Sequence, residues 1–205
     1  MGDTTQPQRT IHGPPRLLDI QTTIPDPRLL FLKNVSIPLQ FSPFPIRANV
    51  YLPKQEKEPQ PQPDDDQLEP KNKYRYPVLV TYGPYGKDIP YSSFHPSSFA
   101  EVNAEQRSEF SAWETPDPVY WCKQGYAVVR ADERGTGQSP GLLDTMSRDT
   151  SDAFCQVIEW CADQSWSSGK VGLLGVSYYA GESFCFPQCY GAVVLKWGFV
   201  VEERE

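Results

Sequence analysis

Ser177 ends the apolar run VGLLGVS (171–177), and Gly175 lies two residues before it. Where a buried strand breaks sharply into a helix, a serine oxygen is pushed out above the sheet and can attack an acyl carbon. A small residue beside the serine lets the backbone pass close to neighbouring elements. The helix that follows would aim its first amide groups at the charge developing on the carbonyl oxygen. The sequence here is G-V-S-Y-Y-A-G, with Tyr179 where G-x-S-x-G has its second glycine. By itself this pattern also fits a solvent-exposed or capping serine at a strand end.

Serine is a weak nucleophile at neutral pH and needs a base, oriented by a carboxylate. In strand–serine–helix sites the chain order is Ser, then Asp or Glu, then His. No histidine follows Ser177, and the carboxylates that follow are Glu182, Glu202, Glu203 and Glu205. The two histidines, His12 and His95, both precede it. His95 sits in the loop YSSFHPSSF and reads as a loop residue without a catalytic role. The triad acid and base are therefore unknown and expected to be absent from this chain.

The elements that must position Ser177 are legible as short apolar runs. LLFLKNVSIPL and IRANVYLP read as an antiparallel strand pair, and YPVLVTYG (76–83) as a buried strand. Residues 84–118 read as a long irregular loop with one helix at most. DPVYWCKQG reads as a helix stopping at Gly125, followed by the buried strand YAVVRAD (126–132) and the glycine-rich turn DERGTGQSPG. From Asp144 to Gln164, Met146, Ala153, Phe154, Val157, Ile158 and Cys161 recur at helical spacing. Alternating strands and helices of this kind point to an α/β fold, a mainly parallel sheet with flanking helices.

Composition narrows the classes. The formal charge is −7 and the pI about 4.9, which disfavours nucleic acid and anionic membranes as partners. No run approaches the roughly 20 apolar residues of a membrane span. The N-terminal sequence lacks the apolar core of a secretory signal, and its sixth residue, Gln6, departs from the myristoylation pattern. Five cysteines at irregular spacing fit free thiols and a cytoplasmic location. Cys185 and Cys189 have no second pair of ligands beside them, and Asp64–Asp66 lacks the glycine and glutamate of a calcium loop, so no metal is expected.

Four landmarks in order extend the reading: PVLVTYGPYGKD, then GYAVVRADERGTGQSPG, then a helix ending near Trp160 and Trp166, then GVSYYAG. Together, over roughly residues 30–182, they resemble the Xaa-Pro dipeptidyl-peptidase and cocaine-esterase-like serine hydrolases of the α/β-hydrolase superfamily. The resemblance implies Ser177 as nucleophile and an oxyanion hole made of the Tyr178 backbone amide and the Tyr85 phenol. Tyr85 as a half-buried packing residue is the alternative. It implies ester or short peptide substrates and no cofactor. Asp132 and Arg134 read as structural, bonding neighbouring loops. Another branch, such as a lipase, fits less well, because lipases usually take the oxyanion on backbone amides of a glycine-rich loop.

The expected organisation is a disordered arm (1–16), the N-terminal part of a hydrolase domain (17–182) with an exposed loop (54–73), and an atypical tail (183–205). The family's cap and C-terminal β-sandwich are expected to be absent, so the fold reads as a partial α/β-hydrolase truncated after the serine turn. In that reading the tail replaces the rest of the enzyme, and the chain is a non-catalytic remnant. The far edge of the serine strand would be bare and aggregation-prone, with 193–201 the segment that could pair there. Oligomeric state is not legible.

Overall fold

The computed structural model describes residues 21–54 and 74–180, and the backbone of 193–196. The expected arm, nearly all of the exposed loop, His12, Asp64–Asp66, Cys185 and Cys189 lie outside the described residues. Seven strands form one mixed sheet: β1 (Thr22–Pro25), β2 (Leu29–Leu39), β3 (Ser42–Pro53), β4 (Tyr76–Gly83), β5 (Ala127–Asp132), β6 (Ser167–Leu173) and β7 (Val193–Lys196). Their spatial order is β1-β2-β3-β5-β4-β6-β7. β1, β2, β3 and β5 are joined by antiparallel pairings, and β5, β4, β6 and β7 by parallel ones.

This order places the site. The chain passes from β4 to β5 on one side, then crosses over to β6 on the other side of β4. Such a reversal opens a crevice beyond the carboxyl ends of the parallel strands. The segments carrying Tyr85, Asp132 and Ser177 all leave the sheet at that end.

Period-two alternation explains the two cores. Val78, Val80, Tyr82, Ala127, Val129, Ala131, Val171 and Leu173 share one cluster with Ala153, Phe154, Val157, Ile158 and Cys161 of helix α4 (Arg148–Asp163). The Tyr82 and Phe154 rings stack there at 5.1 Å. Val128 faces the other way, into a smaller cluster with Leu29, Phe31, Tyr51 and Cys122. Three short helices, α1 (Tyr91–Phe94), α2 (Pro96–Glu101) and α3 (Pro118–Lys123), and a 3₁₀ turn (Ala104–Gln106) lie between β4 and β5.

Several expectations are corrected. The segment between β4 and α3 holds two short helices and a 3₁₀ turn, more order than one helix. The helix expected from Asp144 starts at Arg148, because the Ser147 hydroxyl caps the Thr150 N–H at 3.1 Å. Met146 is outside it, 70% exposed, with φ 58°. The strand expected at 171–177 spans Ser167–Leu173, so Ser177 stands beyond its end. The expected bare edge of that strand is covered over four residues, where β7 pairs in parallel from Lys170↔Val193 to Leu173↔Lys196. β1 was not foreseen.

The turn after β5 is tied down by buried acids. Asp132 accepts the Lys87 N–H at 2.6 Å and the Gln138 N–H at 2.8 Å, and lies 3.5 Å from the Lys87 ammonium. Glu133, fully buried, accepts the Thr150 hydroxyl at 2.7 Å and the Tyr178 phenol at 3.2 Å. Burial raises the Glu133 carboxyl above the ordinary glutamate range, against the lowering effect of those two hydroxyls.

Two predictions follow from packing and burial. Phe154→Ala should cost about 3–5 kcal/mol, read as a lower urea midpoint at unchanged slope. Because the Glu133 pKa is raised on folding, its contribution to stability is present at low pH and lost as pH rises through the folded value. Melting temperature should fall over that interval in the wild type, and Glu133→Gln should flatten the fall.

Candidate active site

Ser177 is exposed and has φ 54°, a left-handed conformation that costs a non-glycine residue about 1–3 kcal/mol. β6 ends at Leu173, the chain turns through residues 174–177, and helical backbone starts at 178. The Tyr179 N–H donates to the Val176 carbonyl and the Ala180 N–H to the Ser177 carbonyl, both at 3.1 Å. On the inner side, Leu174 N–H reaches the Val80 carbonyl at 3.4 Å. The strain at Ser177 is thus held between the sheet and a helical turn. The further course of that turn, from residue 181, lies outside the described residues.

Tyr179 explains the departure from G-x-S-x-G. Its ring is buried, 4% exposed, and lies against the end of β4. A Cβ at Gly83 would come within 2.5 Å of its Cε1, and one at Gly175 within 2.3 Å of its Cβ. Two glycines upstream make room for Tyr179 in place of the missing third, Gly83 for its ring and Gly175 for its Cβ and backbone.

Tyr85 follows β4 and joins the same cluster. Its ring meets Tyr179 at 5.6 Å and Tyr178 at 6.2 Å, both edge-on, and Phe94 at 6.2 Å. Desolvation raises its phenol pKa, and the nearby Glu114 carboxylate adds to the rise. A phenol is protonated at neutral pH and can donate a hydrogen bond there. The structure thus gathers Tyr85, Tyr178 and the turn bearing Ser177 at one end of the sheet.

Two acids that the sequence reading passed over adjoin them. Glu133 anchors the Tyr178 phenol from the turn after β5. Glu114 has φ 57°, and its carbonyl accepts the Val176 N–H at 3.2 Å, one residue before Ser177. Burial raises its carboxyl pKa, the Trp113 side chain opposes this, and Oε2 is buried with no hydrogen-bond partner among the described residues. Nothing in SAWETPDP marks Glu114 as special, since its conformation is set by contacts distant in sequence. Beside it opens a cavity of about 390 Å³, lined by Tyr91, Trp113, Tyr120, Trp121 and Val176. A cavity of that size suits a small organic group.

His95 is engaged in local contacts. Its Nδ1 caps α2 by accepting the Ser98 N–H at 3.4 Å, and its ring stacks on Trp113 at 5.0 Å. Asp132 holds the loops after β4 and β5, and Arg134 pairs with Asp149 at 3.2 Å. Cys122 and Cys161 are buried free thiols, and burial pushes the Cys122 thiol up to about 12, far from a reactive thiolate. No metal-holding group of His, Cys, Asp or Glu occurs among the described residues.

Comparison with known proteins bears on the family and the fold. The cocaine esterase of Rhodococcus sp. (strain MB1 Bresler) is 35% identical over 78 residues, which is 37% of this chain and 13% of that protein. Two crystal structures of a CocE/NonD family hydrolase from Staphylococcus aureus superpose with TM-scores of 0.58 and 0.59, at 28% and 26% identity. They cover 76% of this chain and 24% of the relative, so the chain spans about a quarter of that protein's length. The X-Pro dipeptidyl-peptidase (S15 family) profile matches residues 66–186, which takes in β4, the whole site and the serine turn. The chain belongs to the X-Pro dipeptidyl-peptidase S15 family of hydrolases.

Proposed function

We propose that Ser177 is the nucleophile of an acyl-transfer site that hydrolyses small esters or short peptides. The observation that carries this reading is an exposed serine in a strained turn beyond β6, whose next two residues, Tyr178 and Tyr179, meet the ring of Tyr85 from the end of β4. The serine oxygen adds to the substrate carbonyl, and the alcohol or amine leaves with a proton. Water then releases the acid and regenerates the serine. The oxyanion would be met by the Tyr178 amide and the Tyr85 hydroxyl, with no metal or organic cofactor. The cavity beside Val176 supports an apolar or aromatic acyl group, since four of its walls are aromatic rings.

The proposed layout keeps the hydrolase part at 17–182, between the arm 1–16 and the tail 183–205. Free thiols at Cys122 and Cys161 support a cytoplasmic setting. No helix among the described residues is long and apolar enough to cross a membrane. A second reading, a non-catalytic fragment, is favoured by the engagement of His95 as a helix cap, which leaves the base unassigned.

A fluorophosphonate probe tests both readings on the full chain, with free imidazole added to supply a base. Labelling should fall on Ser177 and vanish in Ser177→Ala. Tyr85→Phe should slow it by about 10²–10³-fold if the phenol serves the oxyanion. No labelling of the folded chain, even with imidazole, would favour the fragment. Labelling that survives in Ser177→Ala would overturn the assignment. Nitrophenyl esters set against Ala-Pro and Gly-Pro anilides would then separate esterase from peptidase preference.

A further inference from the structure

Arg130 of β5 lies on the sheet face opposite Val129 and Ala131, and it is 2% exposed. Its Nη1 donates to the Phe110 carbonyl at 2.9 Å and its Nη2 to the Pro116 carbonyl at 3.3 Å. Its Nε is buried with no hydrogen-bond partner among the described residues. The guanidinium also lies over the Tyr51 ring, 5.7 Å from the centroid. None of the ion pairs among the described residues includes Arg130. Two carbonyls and a ring face compensate a buried cation only in part, and a carboxylate fork is the group that a guanidinium edge matches best.

The nearby carboxylates are committed elsewhere. Asp88 is held by Lys87, Lys33 and Asn49. Glu109 is held by Arg28, and Asp132 by Lys87 and two backbone amides. Asp117 accepts the hydroxyls of Ser108 and Ser111 and the Tyr120 N–H. Arg130 is the buried cation left over among the described residues.

Arg130 lines a cavity of about 120 Å³. Asn49, Lys33 and Lys87 share its polar side with the Asp88 and Glu109 carboxylates, which Lys87, Lys33 and Arg28 neutralise, while Phe31, Phe110 and Ile89 form an apolar one. A dry cavity of roughly 150 Å³ takes a benzene-sized guest, so this space suits a head group with a few carbons. We propose that the cavity binds a small monocarboxylate, with its head on the Arg130 guanidinium edge and its alkyl tail against Phe31 and Phe110. A doubly charged oxyanion fits worse: the Asp88 and Glu109 carboxylates of the lining repel it twice as strongly as a single charge, it outweighs the single unpaired cation, and it leaves the aromatic wall without a partner.

Isothermal titration of the full chain with butyrate tests the site, with acetate, chloride and inorganic phosphate compared at equal ionic strength. Butyrate should bind saturably at one site per chain, at least tenfold tighter than chloride or phosphate and tighter than acetate. Ile89→Asp places a negative charge at the 43% exposed rim and should weaken butyrate at least tenfold with an unchanged circular dichroism spectrum. Arg130→Met keeps the apolar volume and should abolish binding; if that variant does not fold, Ile89→Asp decides. The proposal fails if the folded wild type shows no saturable butyrate binding. It fails equally if Ile89→Asp binds as the wild type does, or if chloride or phosphate matches butyrate.

Discussion

The seating of Tyr179, its ring against Gly83 and its Cβ and backbone against Gly175, governs how the serine turn meets the carboxyl end of the sheet. Both glycines meet Tyr179 at distances that a Cβ would forbid, Gly83 its ring and Gly175 its Cβ. The ring therefore locks the turn after β6 onto the end of β4. Ser177, two residues earlier, takes the left-handed conformation that this closure demands. Such strain persists only where the surroundings over-determine it. Here they do so through the Val80 and Glu114 carbonyls on one side and the first helical hydrogen bonds on the other.

The same constraint organises the polar interior. Tyr178 follows the strained serine, and its phenol is tied to Glu133, which in turn is tied to Thr150 in the first turn of α4. The turn after β5 is thereby linked to the serine turn and to the large helix. Asp132 performs a parallel task, gathering Lys87 from the loop after β4 and Gln138 from the loop after β5. Three segments distant in sequence are held in register by two adjacent acids. Burial disfavours the charge on both, and this cost is the counterpart of that rigidity. Arg130 is a third buried ionisable group, on the opposite face of the same strand, and its compensation by carbonyls and one ring is the least complete.

Much of the fold was legible in the chain. YPVLVTYG coincides with β4, LLFLKNVSIPL with β2, and the stop at Gly125 with the end of α3. These runs are continuous, apolar and bounded by turn residues, so local pattern and burial agree. The misses share a physical cause. Met146 fits the helical period, yet the Ser147 cap starts the helix later, and a cap competes with periodicity only once geometry exists. β1 is a short edge strand with little apolar content, and its pairing with β2 leaves no local mark.

At the site the division is similar. Residue types and order determined Ser177 as a candidate, since a strand-end serine with a glycine before it is a pattern written along the chain, and Tyr85 and Tyr178 came from the family resemblance that the ordered landmarks carry. Tertiary structure alone decided that Tyr179 replaces a glycine without loss of packing, that Glu114 and Glu133 adjoin the serine turn, and that His95 is spent on a helix cap. Each of these depends on contacts between segments tens of residues apart. A sequence lists such partners but does not bring them together; burial and close packing do.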